Sequence, residues 1–187
     1  MFNNTIIIAE VKPKSPTFDS GKSWDELFEL ASGIGDWISI HTNPLWGGSF
    51  DLISKAKSKT DKPILAKGFH DTDEEVKRAV KLGADFVLVV GRIPNVHRDK
   101  CIIEPYDLPE FMRIPDEFKS AWNSRDLKAL RTKTESKKKE NFADVRAMRP
   151  DIWLCQASNL VTMDDIVPGA DAVLVGTNLE SFGKSLP

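Results

Sequence analysis

The sequence predicts an α/β fold, a (β/α)8 TIM barrel pared down in its second half. Three observations point there. Runs that are apolar on both faces alternate with amphipathic helical stretches, the pattern of a parallel sheet under helical cover. Eight such runs can be counted along the chain. Several of them end in a polar residue at the carboxyl end, where barrels of this kind place reactive side chains. The chain has 187 residues, read as one domain over residues 1–187. A full barrel takes about 250 residues, so some helical cover must be short or missing.

The elements follow in order. "MFNNT" reads as a disordered start. "TIIIAEVK" is the first strand. Successive side chains on a strand face opposite ways, so Ile6, Ile8, Glu10 and Lys12 share one face and Ile7, Ala9 and Val11 the other. "SWDELFELASGIG" is an amphipathic helix, capped by Ser23 and ended near Gly33–Gly35. "DWISIHT" is the second strand and "GGSFDLISKAKSKT" the next helix. "KPILAKG" is the third strand. "DTDEEVKRAVKLG" follows as a helix with an acidic first turn and a glycine stop, both suited to the helix dipole. "ADFVLVVG" is the fourth strand. "GRIPNVHRDK" is too short and too broken for a full helix, so the cover between strands four and five should be missing or very short. "KCIIEP" and "FKSAWN" are strands five and six, with a short helix in "YDLPEFMRI" between them. "NFADVRAMRP" is helical, "DIWLCQAS" is strand seven, "DAVLVGT" strand eight, and "NLESFGKSL" the closing helix. An open doubly wound sheet is the alternative, but no Gly-x-Gly-x-x-Gly follows the first strand.

Bulk properties narrow the function classes. With 26 basic and 28 acidic residues the formal net charge is −2, so no nucleic acid and no membrane partner is expected. The basic run "TKTESKKKEN" reads as a solvated loop and helix start. No apolar run approaches the roughly 20 residues that span a bilayer, and the start lacks a signal-peptide pattern. Cys101 and Cys155 lie in apolar strands and read as buried, reduced thiols. A cytoplasmic location is expected. His41, His70 and His97 show no zinc-site spacing; they read as rim or surface residues, with His41 or His70 a candidate pocket lining. No metal site is expected.

The strand ends carry the chemistry. In order they supply Glu10 and Lys12, Lys67, Glu104, Asn123 with Arg125, and Ser158. Charges on buried strands are costly unless paired, so a cluster of both signs at one rim is self-consistent. A lysine near carboxylates in a dry cavity can act as a general acid, a neighbouring glutamate as a base, and a buried asparagine can steady an intermediate. "VLVGTNLESF" adds a strand, a Gly-Thr turn and a helix start, a place for phosphate on free backbone N–H groups. Gly176 and Thr177, with Ser158 and Asn159, would form that cup, where barrels often hold phosphate.

"IAEVKPKSP", "NPLWGGSFDLI", "PILAKGF", "GADFVLVV", "CIIEP", "WNSRDL" and "GADAVLVGTNL" together resemble, in order, the indole-3-glycerol phosphate synthase family. The resemblance covers nearly the whole chain, and "EVKPKSP" with "NSRDL" is fairly specific among barrels. It implies a tryptophan-pathway lyase acting on 1-(2-carboxyphenylamino)-1-deoxyribulose 5-phosphate, closing the indole ring with loss of carbon dioxide and water and using no cofactor. It implies Lys67 as the general acid, Glu104 as the strand-five carboxylate of the dehydration, and Glu10 and Lys12 as the Glu-x-Lys pair. Asn123 and Arg125 match its Asn-x-Arg. Ser15, Ser158, Gly176 and Thr177 fall where the family binds phosphate and shapes the pocket floor. Other enzymes of the tryptophan pathway are the candidate protein partners, beside the small phosphorylated substrate.

The sequence departs from the family in three places. A helical extension usually precedes the first strand, which here follows directly on "MFNNT". The seventh strand usually ends Ser-Glu-Ser-Gly, and here "QASN" puts Ala157 at the glutamate position. The fourth helix is missing. Trp46 and Phe69, in loops at the same rim, are candidate substitutes for the lost apolar cover. Two other functions keep the barrel and the phosphate cup: a phosphosugar enzyme such as a phosphoribosylanthranilate isomerase, or a noncatalytic barrel that binds a phosphorylated metabolite.

Overall fold

The computed structural model describes residues 5–131 and 136–187. The first four residues and part of "TKTESKKKEN" therefore lie outside the described residues. Eight parallel strands close into a barrel: β1 Ile6–Val11, β2 Trp37–His41, β3 Ile64–Lys67, β4 Phe86–Val90, β5 Cys101–Glu104, β6 Lys119–Asn123, β7 Leu154–Ala157 and β8 Ala172–Val175. Each strand hydrogen-bonds to the next in sequence, and β8 closes on β1 with Ile6 opposite Ala172 and Ala9 opposite Val175. Closure leaves no barrel strand with a free edge.

The helices are α1 Trp24–Ile34, α2 Asp51–Lys57, α3 Asp73–Lys81, α4 Leu108–Met112, α5 Leu127–Arg131, α6 Phe142–Met148 and α7 Leu179–Lys184. Ser23 caps α1 and Thr72 caps α3, each in a reciprocal capping box with the glutamate three residues on, Glu26 and Glu75. Between β4 and β5 only a single 3-10 turn, Arg98–Lys100, remains. Arg92 fastens that connection, with Nη1 2.6 Å from Asp73 Oδ1 at the start of α3. Val96 packs on the core from the same loop, α3 packs against β4, and outward-facing Val87, Val89, Cys101 and Ile103 stay buried.

Three features depart from the sequence expectation. The step after β7 carries only the 3-10 turn Met163–Asp165, so a second helix is lost besides the expected one. A small hairpin, Lys14–Ser15 with Phe18–Asp19, follows β1. The short helix α5 lies between β6 and α6. "VTMDDIVPGA" has too little apolar periodicity for a helix, and its Thr162–Asp165 capping pair is spent on one turn.

A repeated device sets the strand starts. "GD" before β2 and "GAD" before β4 and β8 each place an aspartate whose Oδ2 accepts from the backbone of a neighbouring strand: Asp36 from Ile7 N, Asp85 from Ile64 N and Asp171 from Leu154 N, all at 2.8 Å. These carboxylates satisfy amides at the amino end of the barrel that the ladder leaves unpaired. No helix among the described residues is long and apolar enough to cross a membrane.

Candidate active site

Side chains that point into the barrel stack in three tiers. The lowest is aromatic: Trp37 lies flat on Phe86 at 4.2 Å between ring centroids, with Trp153 at 6.0 Å on the same ring. The middle tier is apolar, with Ile8, Leu65, Leu88, Ile102, Ala121, Cys155 and Leu174 all buried. Burial pushes the Cys155 thiol far up, and that of outward-facing Cys101 up to about 11, so neither is a nucleophile. The third tier, two residues further along each strand, is polar: Glu10 from β1, His41 from β2, Lys67 from β3, Glu104 from β5 and Asn123 from β6. They line a pocket at the carboxyl ends of the strands.

The centre of that pocket is an ion pair. Lys67 Nζ lies 2.9 Å from Glu10 Oε1, and His41 Nε2 lies 2.9 Å from the same oxygen. Burial alone would raise the Glu10 carboxyl, but Lys67, the hydrogen bond from His41 and the charge of Lys12 hold it well below the usual carboxylate value. Burial lowers His41 to about 4, against the pull of Glu10, so near neutral pH the imidazole is uncharged. A carboxylate only accepts, which puts the imidazole hydrogen on Nε2. Lys12 Nζ turns away to donate to Thr177 Oγ1 at 3.1 Å. Burial lowers Lys12, with Glu10 opposing and Lys67 and Arg125 adding to the fall.

Lys67 is thus paired with Glu10, and Glu104 stands apart from that pair. Glu104, 3% exposed, has an Oε1 with no hydrogen-bond partner among the described residues. An orphaned buried carboxylate oxygen is expensive unless a ligand completes it. On the far wall, Asn123 Oδ1 accepts from Arg125 N at 3.0 Å and from the Ser158 hydroxyl. That occupies the amide oxygen and leaves Nδ2 to donate into the pocket. Ser158 and Asn159 both have left-handed backbone, φ 74° and 58°, a strained turn held over the mouth. Gly176 closes against Glu10: a Cβ there would stand 2.0 Å from Glu10 Oε2.

Of the residues singled out in the sequence, Glu10, Lys12, Lys67, Glu104, Asn123, Arg125, Ser158, Asn159, Gly176 and Thr177 all line this one pocket. Ser15 does not; it sits in the hairpin after β1, and its hydroxyl accepts from Thr17 N. Trp46 and Phe69 stand at the rim, edge to face at 5.8 Å, and Ala157 lies in the wall. His70 is buried elsewhere, bonded to Leu88 O and Thr42 Oγ1, and His97 is exposed. The sequence reading left His41 as one of two pocket candidates; strict alternation along β2, with Trp37, Ser39 and His41 on one face, was the signal that singles it out.

The family model described as indole-3-glycerol phosphate synthase matches residues 2–101. The chain is 31% identical over 195 residues to the indole-3-glycerol phosphate synthase of Halobacterium salinarum, covering 92% of this chain and 74% of that relative. It is 28% identical to that of Pyrococcus abyssi, over 92% of this chain and 84% of the relative. With that of Staphylococcus aureus the identity is 27%, over 97% and 78%. Among solved structures, KGPDC from Streptococcus mutans superposes with a TM-score of 0.64 at 14% identity, over 97% of this chain and 92% of that one, a likeness of fold.

Proposed function

The chain belongs to the indole-3-glycerol phosphate synthase family, and from that premise we propose that its barrel mouth closes the indole ring of 1-(2-carboxyphenylamino)-1-deoxyribulose 5-phosphate. It is on this reading a carboxy-lyase, a carbon–carbon lyase that releases carbon dioxide and water. The observation that carries the reading is the placing of Lys67, Glu10 and Glu104 in one pocket whose rim holds Lys12 on Thr177.

The roles are those that the family resemblance implies for these residues. The phosphate sits against Gly176, Thr177 and the Ser158–Asn159 turn, with Lys12 as its counter-charge. Lys67 gives a proton to the substrate carbonyl oxygen while the ring carbon bearing the carboxylate attacks the carbonyl carbon. The carbonyl π pair thus becomes a hydroxyl. Loss of carbon dioxide returns its bonding pair to the aromatic ring. Glu104 then takes a proton from the adjacent methylene carbon as the hydroxyl leaves as water, with Lys12 assisting as proton donor; a lysine lowered by burial gives up a proton more readily. Asn123 Nδ2 steadies the oxygen that changes charge, and Trp46 and Phe69 cover the aromatic end.

The test is turnover of that substrate by purified protein, followed by indole fluorescence, with Lys67→Met alongside. Product from the wild type and a loss of roughly 10²- to 10⁴-fold in the variant are expected for removal of a general acid. No product from a folded wild type would overturn the synthase reading and leave phosphate binding as the activity to measure.

A further inference from the structure

His41 has no place in the roles above, yet it touches their centre. The Lys67–Glu10 pair joins β1 to β3, two strands that are not neighbours. β2 runs between them, with His41 in register beside Lys67. Its imidazole fills the gap and reaches the same Glu10 oxygen that Lys67 holds.

The residue is held at its ring and at its backbone. Trp46 stacks on it with centroids 5.4 Å apart and planes 6° from parallel. The loop that carries Trp46 folds back onto the His41 backbone so closely that a Cβ on Gly48 would lie 2.2 Å from His41 O. The residue is 6% exposed, and Nδ1 is buried with no partner among the described residues. A side chain held this tightly, with one nitrogen left unsatisfied, is kept for what the other nitrogen does.

What Nε2 does is settle a competition. Glu10 stands within the influence of two lysines: Lys67 across the mouth and Lys12 two residues along its own strand. Glu10, Lys12 and Lys67 are the charged groups that bear on His41 from the neighbouring elements. A carboxylate free to swing could draw Lys12 away from Thr177. We propose that His41 is a positioning residue for the ring closure: it donates to Glu10 Oε1, keeps that carboxylate on Lys67 and leaves Lys12 to the phosphate end of the pocket. The neutral ring does this without adding charge to the mouth. This inference rests on the proposed function for its kinetic consequence, and on geometry alone for the contact with Glu10.

Three variants test it. His41→Leu removes the donor, and His41→Asn keeps polarity but is too short to reach. His41→Gln places an amide N–H near the position of Nε2. The direct readout is the Glu10 carboxyl titration by carbon-13 NMR, in the full protein without substrate. Glu10 should titrate at higher pH in His41→Leu and His41→Asn, and return towards the wild-type value in His41→Gln. In the turnover assay kcat should fall about 10- to 100-fold in the first two, for loss of a hydrogen bond to a charge, with KM little changed, and recover in His41→Gln. An unchanged Glu10 titration in His41→Leu and His41→Asn, or no recovery in His41→Gln, overturns the proposal. If His41→Leu does not fold, the comparison of His41→Asn with His41→Gln decides alone. A wild type with no turnover would remove the synthase reading, while the titration would still decide the role of His41.

Discussion

The two ends of the barrel lumen are built from the same eight strands and the same alternation of side chains, and they are opposite in kind. At the amino end Trp37, Phe86 and Trp153 stack into an aromatic plug. At the carboxyl end, two tiers further along, Glu10, His41, Lys67, Glu104 and Asn123 face one another over an open pocket. The plug gains stability from area removed from water and tolerates imprecision. The mouth holds buried charges that must be paired and aimed, so it contributes little to stability and depends on geometry within tenths of an ångström. An apolar middle tier separates the two. It keeps water from rising through the floor of the site.

The largest effect expected is the loss of turnover in Lys67→Met; the same change takes from the buried Glu10 carboxylate its main counter-charge, so the unfolding midpoint falls as well. Trp37→Ala is its converse. Removing the centre of the half-buried stack should cost about 3 kcal/mol in chemical denaturation, at the low end for such truncations, while kcat per folded molecule holds. A fall in kcat as large as that in stability would show that the two ends are not independent.

The pH dependence of stability sharpens the same contrast. His41 is lowered to about 4 in the folded barrel, against about 6.5 unfolded. The unfolded chain therefore binds the extra proton between these values, and stability rises with pH through that window. His41 withholds nothing above about pH 6.5, and the loss grows to about 3 kcal/mol as pH falls to about 4. Denaturation of wild type and His41→Leu across this range should show a shallower slope in the variant. Buried His70 is lowered as well and leaves a residual slope in both. Equal slopes would mean that His41 is charged in the fold. The smallest effect concerns Gly176→Ala. The new methyl group meets Glu10 Oε2, so the carboxylate must shift; a fall in kcat of roughly tenfold with stability lowered by about 1 kcal/mol is expected.

Much of this was legible in the chain. The period-two alternation of "TIIIAEVK" put Glu10 and Lys12 on the inner face, and the shortness of "GRIPNVHRDK" excluded a helix before β5. Lys67, Glu104 and Asn123 were placed at strand ends by the same rule. The Gly-Asp and Gly-Ala-Asp repeats before β2, β4 and β8 were also in plain view, yet their use, an aspartate bonded to a neighbouring strand, needs the partner strand to be seen. Ser15 was carried in by motif alone, and its place in the hairpin after β1 could not be read from the chain.

The sequence by itself determined the fold class, the face on which each strand residue lies and the set of polar groups that reach one rim. Those properties depend on local periodicity, which every strand carries in its own residues. Which group meets which was decided only when the sheet closed. Lys67 finds Glu10 and leaves Glu104 without it, and His41 comes between β1 and β3 as the third partner. Distances across a lumen are set by strand tilt, stagger and closure, which belong to all eight strands together.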